Sequence, residues 1–377
     1  FRDAFLVLGW VQTAATIDSG PIRLLLSLAI LWFFVGLNLK GVRIYEKTLV
    51  PLMVIMFVLG SVVIVSGFFF SQEDFALAVL KTTGEVMGDP VASPLRASDY
   101  FAASAILFTS FIGFDSIAQA GGEARNPAKN LPLAIGLAVL IVGIFDMLFT
   151  AAIYHAVPWY YIAEKAQSQD LTAPGLLAYL LPDSLTVAII LGAAIALLND
   201  LPAMLLSVSR LMFSWAKDGI VPSRIAKIDE RSRAPRTAIV LSGCMASIGI
   251  VGSHLAGDFF LGIDILVTSM LVNFMFMCLA VWALPMRNRD IADKVIILSS
   301  WKVRKAAALI GMVLLVIFLS VHVWKDLTSE LAAWYFHSTF VWILVMGLAS
   351  LIYFFEVNHL EKKGVDINEI TSKLPVE

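Results

Sequence analysis

Charge is scarce in this chain. Of its 377 residues only 15% are Asp, Glu, Lys or Arg, where a soluble domain carries about a quarter. The net charge of −2 provides no basic face for a nucleic-acid backbone, so nucleic acid is not an expected partner. Cysteine is limited to Cys244 and Cys278, on different apolar runs. That is too few for a disulfide framework or a metal site, and each reads as a small hydrophobe. The five histidines do not cluster: His155, His254, His322 and His337 fall near the ends of apolar runs, and His359 lies in the polar tail. There is no glycine-rich phosphate loop, no metal-ligand spacing and no nucleophile–base constellation. An enzyme is therefore not expected, nor a cofactor. What the chain has in excess is apolar side chains, 59% of the total.

These fall into runs long enough to cross a bilayer, which takes about 20 residues. Nine runs qualify: 22–39, 48–70, 98–120, 133–157, 184–215, 238–256, 259–285, 302–324 and 333–356. Residues 4–17 read as the end of a further helix. The run 184–215 contains Asn199-Asp200-Leu201-Pro202, which predicts a kink or a tilt. Lys and Arg divide unevenly between the connections. Loops 40–47, 121–132, 216–237 and 286–305 and the tail 357–377 hold twenty, whereas the alternate connections hold Arg23, Lys81, Arg96, Lys165 and Lys325. Nine alternating spans separate the two sets, and the basic side is expected to be cytoplasmic. The expectation is a multi-pass protein of the plasma (inner) membrane, embedded in the lipid bilayer, with a cytoplasmic C-terminus. Two loops on the opposite side are long, 71–97 and 158–183. Amphipathic stretches from Phe75 to Leu80 and from Pro174 to Leu181 read as short helices over an external vestibule. Trp159, Tyr160, Tyr161, Trp324, Trp334 and Tyr335 fit an aromatic belt.

The most informative stretch runs from Phe108 to Pro132. Phe108-Thr109-Ser110-Phe111-Ile112-Gly113-Phe114-Asp115-Ser116 places a glycine and an acid at membrane depth. It exits through Glu123-Ala124-Arg125-Asn126-Pro127-Ala128-Lys129-Asn130-Leu131-Pro132. Irregular backbone within hydrocarbon is tolerated only where it lines a cavity or is buried in protein, and an interrupted apolar segment points to a transporter binding site. The stretch points to a protein that moves a small solute.

Four stretches carry a resemblance to the amino acid–polyamine–organocation superfamily, close to its bacterial and archaeal amino acid permeases. Asn38-Leu39-Lys40-Gly41-Val42 resembles the link between helices four and five. Phe111 to Ser116 resembles the break in helix six, and Glu123 to Pro132 the cytoplasmic turn after it. Ser209-Arg210-Leu211-Met212-Phe213 with Lys217-Asp218-Gly219-Ile220-Val221-Pro222 resembles the cytoplasmic end of helix eight. The resemblance covers the whole chain. It implies an all-α polytopic membrane protein of the leucine-transporter-type inverted-repeat fold, N-terminally truncated, with about nine full transmembrane helices. Residues 1–17 then end helix three, and the nine runs are helices four to twelve. Residues 1–70 end the first repeat, 98–285 form the second, 302–356 are two extra helices and 357–377 are a tail. The family's glycine-rich break in helix one, which holds the substrate carboxylate, has no counterpart in this sequence.

The resemblance also implies roles. An amino acid is a zwitterion, and a broken helix can replace its water with backbone groups. The carbonyls of Phe111, Ile112 and Phe114 are candidates for the ammonium, with Gly113 permitting the break. Phe108, Phe111 and Phe114 wall the pocket or simply pack against neighbouring helices or lipid. Asp115 is a proton relay, a gate partner for Arg125 or Arg210, or a static ion pair. Asp146 and Asp200, near the middle of their runs, bind a coupling ion or a cationic substrate, or make a structural polar contact. Asn199, Ser207 and Ser209 stand beside Asp200, and Ser207 and Ser209 are candidates for half of a sodium-type site. The lysine that some members place in helix five falls on Met56, so that mechanism is not expected. H+ or Na+ remain the candidate coupling ions. The substrate expected is a neutral amino acid, because the visible pocket residues are apolar; a cationic amino acid, a polyamine or a non-transporting homologue are the alternatives.

Overall fold

The computed structural model describes residues 1–40, 43–88, 96–111, 113–119, 126–166, 171–229, 234–256, 261–295, 297–298, 300–329 and 334–365. All regular structure among the described residues is helical: α1 (Arg2–Val7), α2 (Val11–Asp18), α3 (Gly20–Leu39), α4 (Arg43–Phe69), α5 (Gln72–Thr83), α6 (Ala97–Leu107), α7 (Phe114–Gln119), α8 (Pro127–Ala156), α9 (Trp159–Lys165), α10 (Ala173–Leu177), α11 (Asp183–Lys217), α12 (Arg236–Ala256), α13 (Leu261–Arg287), α14 (Arg289–Lys294), α15 (Trp301–Thr328) and α16 (Ser338–Lys362). Short 3₁₀ turns lie at Phe108–Phe111, Ser223–Ala226 and Trp334–Phe336. Eight helices (α3, α4, α8, α11, α12, α13, α15 and α16) are long and apolar enough to cross a membrane. The chain is an all-α, multi-pass integral membrane protein.

Helical continuity departs from the apolar runs in two places. The run 98–120, expected to break at 111–116, is α6, a 3₁₀ turn and α7. The run 4–17 is likewise divided into α1 and α2, because Gly9 takes a φ of +76°, which halts a right-handed helix. In contrast, α11 passes Pro202 and stays helical over 35 residues. At 1.5 Å per residue it is about 52 Å long, more than the roughly 30 Å of hydrocarbon. It must tilt or project beyond the bilayer.

Helix boundaries follow local chemistry. The Ser71 side chain accepts the Asp74 N–H and the Asp74 carboxylate accepts the Ser71 N–H, a capping box that starts α5; Gly84, at φ +74°, ends it. Pro127 opens α8, where proline's fixed φ suits the first turn. Thr172 caps α10 by accepting the Gly175 N–H.

The chain forms two compact units: residues 1–93, 141–208 and 228–243, and residues 94–140, 209–227 and 244–377. In the first, α4 is approached closely by the 141–156 part of α8 and by α11. A Cβ on Gly60 would meet the Phe145 ring, one on Gly67 would lie 2.6 Å from the Ala152 carbonyl oxygen, and one on Gly192 would meet Leu59. Small residues let membrane helices pack backbone to backbone in this way. The short helices of the long loops sit on this group as a cap. Phe75, Val79, Tyr161, Leu176 and Leu177 are buried together with Val63, Ile153 and Ile189. Tyr161 is therefore not a belt residue: it is 5% exposed and stands edge-on to Phe75 at 5.2 Å. Trp159, Trp324, Trp334 and Tyr335 are exposed, as belt residues would be.

In the second unit α6, α13 and α15 pack around Ala105, Val267, Met270, Leu271, Phe274 and Leu315, and α16 packs on α13 and α15. Cys278 lies in this packing, and a Cβ on Gly311 would stand 3.2 Å from its sulfur. The N-terminus of α16 is closed by Asp326 of α15, whose carboxylate accepts the Ser338 and Thr339 N–H groups at 2.9 and 2.8 Å. Lys325 pairs with Asp99 at 3.0 Å.

Candidate functional site

The interruption between α6 and α7 is built from three local choices. Helix α6 ends at Leu107, and Phe108–Phe111 tightens to 3₁₀ geometry. Gly113 then takes a φ of +111°, a conformation that side chains with a Cβ rarely adopt. Right-handed helix resumes at Phe114. A Cβ on Gly113 would meet no atom within 4 Å, so the glycine is needed for its backbone conformation and not for space. Where a helix ends, its last carbonyls lack intrahelical partners. In an apolar segment such carbonyls are groups that a cation can replace water with.

The aromatic residues of the break lean on one ring. Phe108 meets Phe274 of α13 edge-on at 5.8 Å, and Phe114 stacks on the same ring at 5.1 Å with an interplanar angle of 19°. Phe274 is 7% exposed and belongs to the unit's buried core. The sequence reading did not single it out; its signal is weak, because it is one apolar residue in the apolar run Phe274 to Leu279. Phe111 is half-buried. Ile112 lies outside the described residues, as do Glu123, Ala124 and Arg125, and for Asp115 only the backbone, within α7, is described. The gate pairing of Asp115 with Arg125 falls there too.

The remaining candidates belong to the other unit. Asp146 is half-buried on α8, one residue after Phe145, which faces α4. Asn199 is half-buried and Asp200 exposed on α11, and Ser207 is half-buried two turns later. Pro202 has no N–H to donate to the Leu198 carbonyl, so an acceptor is freed next to Asn199 and Asp200. Ser209 is buried on the following turn, in the second unit. Among the described residues no group of three or more His, Cys, Asp and Glu gathers at metal-binding distance.

The first unit also holds a polar cavity of 360 Å³ that sequence reasoning missed, lined by Arg2, Asp3, Tyr161, Thr172, Tyr179 and Asp183 among others. The Thr172 hydroxyl donates to Asp3 at 3.0 Å, and Arg2 pairs with Asp3 at 2.9 Å. Burial, followed by a hydrogen bond with Tyr179, pushes the Tyr161 phenol well above its ordinary range. These residues come from three distant parts of the sequence, and no local pattern joins them.

Comparison with known proteins places the chain in a family. A family model described as amino acid permease matches residues 5–359. Cationic amino acid transporter 2 (vacuolar) of Arabidopsis thaliana is 35% identical over 169 residues, 44% of this chain and 26% of its own length. A branched-chain amino acid permease of Bacillus subtilis is 29% identical over 157 residues, 41% and 32% of the two chains. A low-affinity putrescine importer of Escherichia coli is 26% identical over 261 residues, 68% and 54%. The chain thus matches between about a quarter and about half of the length of these relatives.

Proposed function

Because the chain belongs to the amino acid permease family, we propose that it carries amino acids across a membrane as a secondary transporter working by alternating access. The observation that carries this is the break at Gly113, set among phenylalanines between α6 and α7. In this reading the substrate ammonium takes the carbonyls of Phe111, Ile112 and Phe114, and Phe108, Phe111 and Phe114 face its side chain. Stacking on Phe274 fixes two of these rings. Residues 98–285 act as the second inverted repeat, with residues 302–356 as two added helices. The C-terminus is cytoplasmic and the membrane the plasma membrane.

The substrate we favour is a neutral amino acid, since phenylalanines dominate the break and no charged side chain is described there. Asp146 and Asp200, each within a long apolar helix, favour a second reading. Either would suit a cationic substrate or a coupling proton or Na+, and two of the relatives are named for cationic amino acids and for putrescine. The test is uptake by the full-length protein in liposomes, with radiolabelled amino acids and polyamines and with proton or sodium gradients imposed separately. Gradient-driven uptake of neutral amino acids supports the first reading, and uptake of arginine or putrescine alone supports the second. No flux of any solute by folded protein would overturn both.

A further inference from the structure

We propose that the turn between α13 and α15 is a binding site for the phosphate headgroup of an anionic phospholipid. The turn is organised around one arginine. Arg304 donates from Nε to the Leu298 carbonyl at 2.7 Å, and from its two terminal nitrogens to the carbonyls of Ala292 and Val295 at 3.1 and 3.0 Å. One carbonyl of α14 (Ala292) and two beyond its end (Val295, Leu298) thus converge on one guanidinium. Leu298 is held at a φ of +49°, a conformation costly for a residue with a Cβ and kept only where surroundings enforce it.

What this turn presents is an interfacial cation site. The Lys305 ammonium lies 5.4 Å from the centre of the Trp301 ring and 5.5 Å from that of Trp282 on α13. Arg304 lies over the other part of the same surface, 5.9 Å from Trp301. Two indoles hold the lysine by cation–π attraction and leave its remaining N–H bonds for an anion. Lys302 is exposed one turn away, and Ile297 and Leu298 are exposed at 47% and 52%. Tryptophan, exposed aliphatic and lysine side chains together match the boundary between acyl chains and headgroups. Residues 286–305 contain six Lys and Arg against Asp290 and Asp293, so the excess charge has the sign a phosphodiester requires. Arg304 is a positioning residue here, while Lys302 and Lys305 touch the phosphate. The inference rests on the chain being embedded in a membrane and not on its transporting anything.

The test uses the full chain in nanodiscs of phosphatidylcholine, or phosphatidylcholine with phosphatidylglycerol, with bound lipid read by native mass spectrometry and unfolding followed by heating. The expected result is retained phosphatidylglycerol and a higher unfolding midpoint in the anionic discs. Lys302→Ala and Lys305→Ala should each weaken retention about fivefold, the equivalent of the roughly 1 kcal/mol one cation contributes at an anionic surface. Lys305→Arg should retain it, and Lys81→Ala, on the exposed side of α5, should change nothing. If Lys305→Ala does not fold, Lys302→Ala carries the test alone. Equal loss in Lys81→Ala, or no loss in the α15 variants, would overturn the site. Protection by inorganic phosphate in phosphatidylcholine discs, matching that of the anionic lipid, would overturn the lipid as its occupant.

Discussion

Two apolar segments of this molecule contain a residue that should disrupt a helix, and they respond differently. In α11, Pro202 leaves the helix continuous over 35 residues. Between α6 and α7 the helix is interrupted: α6 stops at Leu107, and Gly113 turns the chain before α7 begins. Proline removes one hydrogen bond and crowds the preceding turn, yet its φ of about −65° is helical, so the chain can continue on the far side. Gly113 sits at +111°, outside the right-handed region, and no neighbouring turn can absorb that. In hydrocarbon the two are unequal in a second respect. A proline frees one carbonyl, whereas a true break frees the last turn of a helix, and those groups need a partner. The glycine site is therefore the stronger place for a charged ligand.

Replacing Gly113 should have the largest effect. Gly113→Leu is expected to reduce uptake to background while the protein still inserts and is recovered at normal yield. A Cβ at this position has room, since nothing lies within 4 Å of it, so the part of the loss shared with a small side chain would come from backbone strain of about 1–3 kcal/mol. Gly113→Ala should be nearly as damaging, which no steric account predicts. Normal uptake by the Leu variant would remove the break from the substrate path.

Gly67 supplies the converse case, a glycine needed for space. A Cβ there would stand 2.6 Å from the Ala152 carbonyl oxygen, and backbone cannot move aside as a flexible side chain can. Gly67→Val should cost about 1–3 kcal/mol by overpacking, seen as a lower unfolding midpoint, with the uptake that survives showing an unchanged apparent KM. A changed KM with unchanged stability would mean that Gly67, too, serves the substrate.

How far these differences could be read from sequence depends on their range. The break was legible because Gly113 and Asp115 are rare residues in an apolar run, and the spans were legible because hydropathy is local. The caps of α5 and α10 were visible only as soft amphipathic patterns. That Phe75, Tyr161 and Leu177 close into one buried cluster depends on loops 71–97 and 158–183 meeting, which no periodicity encodes. Tyr161 was misassigned to the aromatic belt for that reason. That 184–215 forms one helix was legible from its hydropathy; Pro202 marked a kink or a tilt, and the helix stays continuous across it. Phe274, on which two break residues rest, is indistinguishable in sequence from its apolar neighbours.

The α11 side of the comparison can be tested with smaller expected effects. Pro202→Ala should leave uptake within about threefold and stability unchanged or raised, because alanine restores the N–H that the Leu198 carbonyl lacks. Asp200→Asn should alter uptake several-fold more than Asp264→Asn, since Asp264 sits in the first turn of α13, where an acid suits the helix end. Equal and negligible effects of the two Asn variants would remove Asp200 from the candidate site. Abolished uptake in Pro202→Ala would reverse the comparison and place a required bend in α11.

The smallest effect concerns a helix whose start is set by side chains alone. At the N-terminus of α5, Asp74 accepts the Ser71 N–H and hydroxyl, both at 2.8 Å, and these bonds hold its carboxyl below the ordinary carboxylate range. Because the folded state prefers the ionised form, the support is complete above the ordinary carboxylate pKa and is lost as the pH falls below it. Protection of the α5 amides relative to intrinsic exchange should therefore fall in acid while that of α8 does not, and Asp74→Asn should show the lower protection already at neutral pH. Unlike the break at Gly113, this boundary should yield to pH without loss of the fold, because Phe75 and Val79 remain buried in the cap. Concerted loss of protection in α5 and α8 would show that the cap and the spans beneath it unfold as one unit.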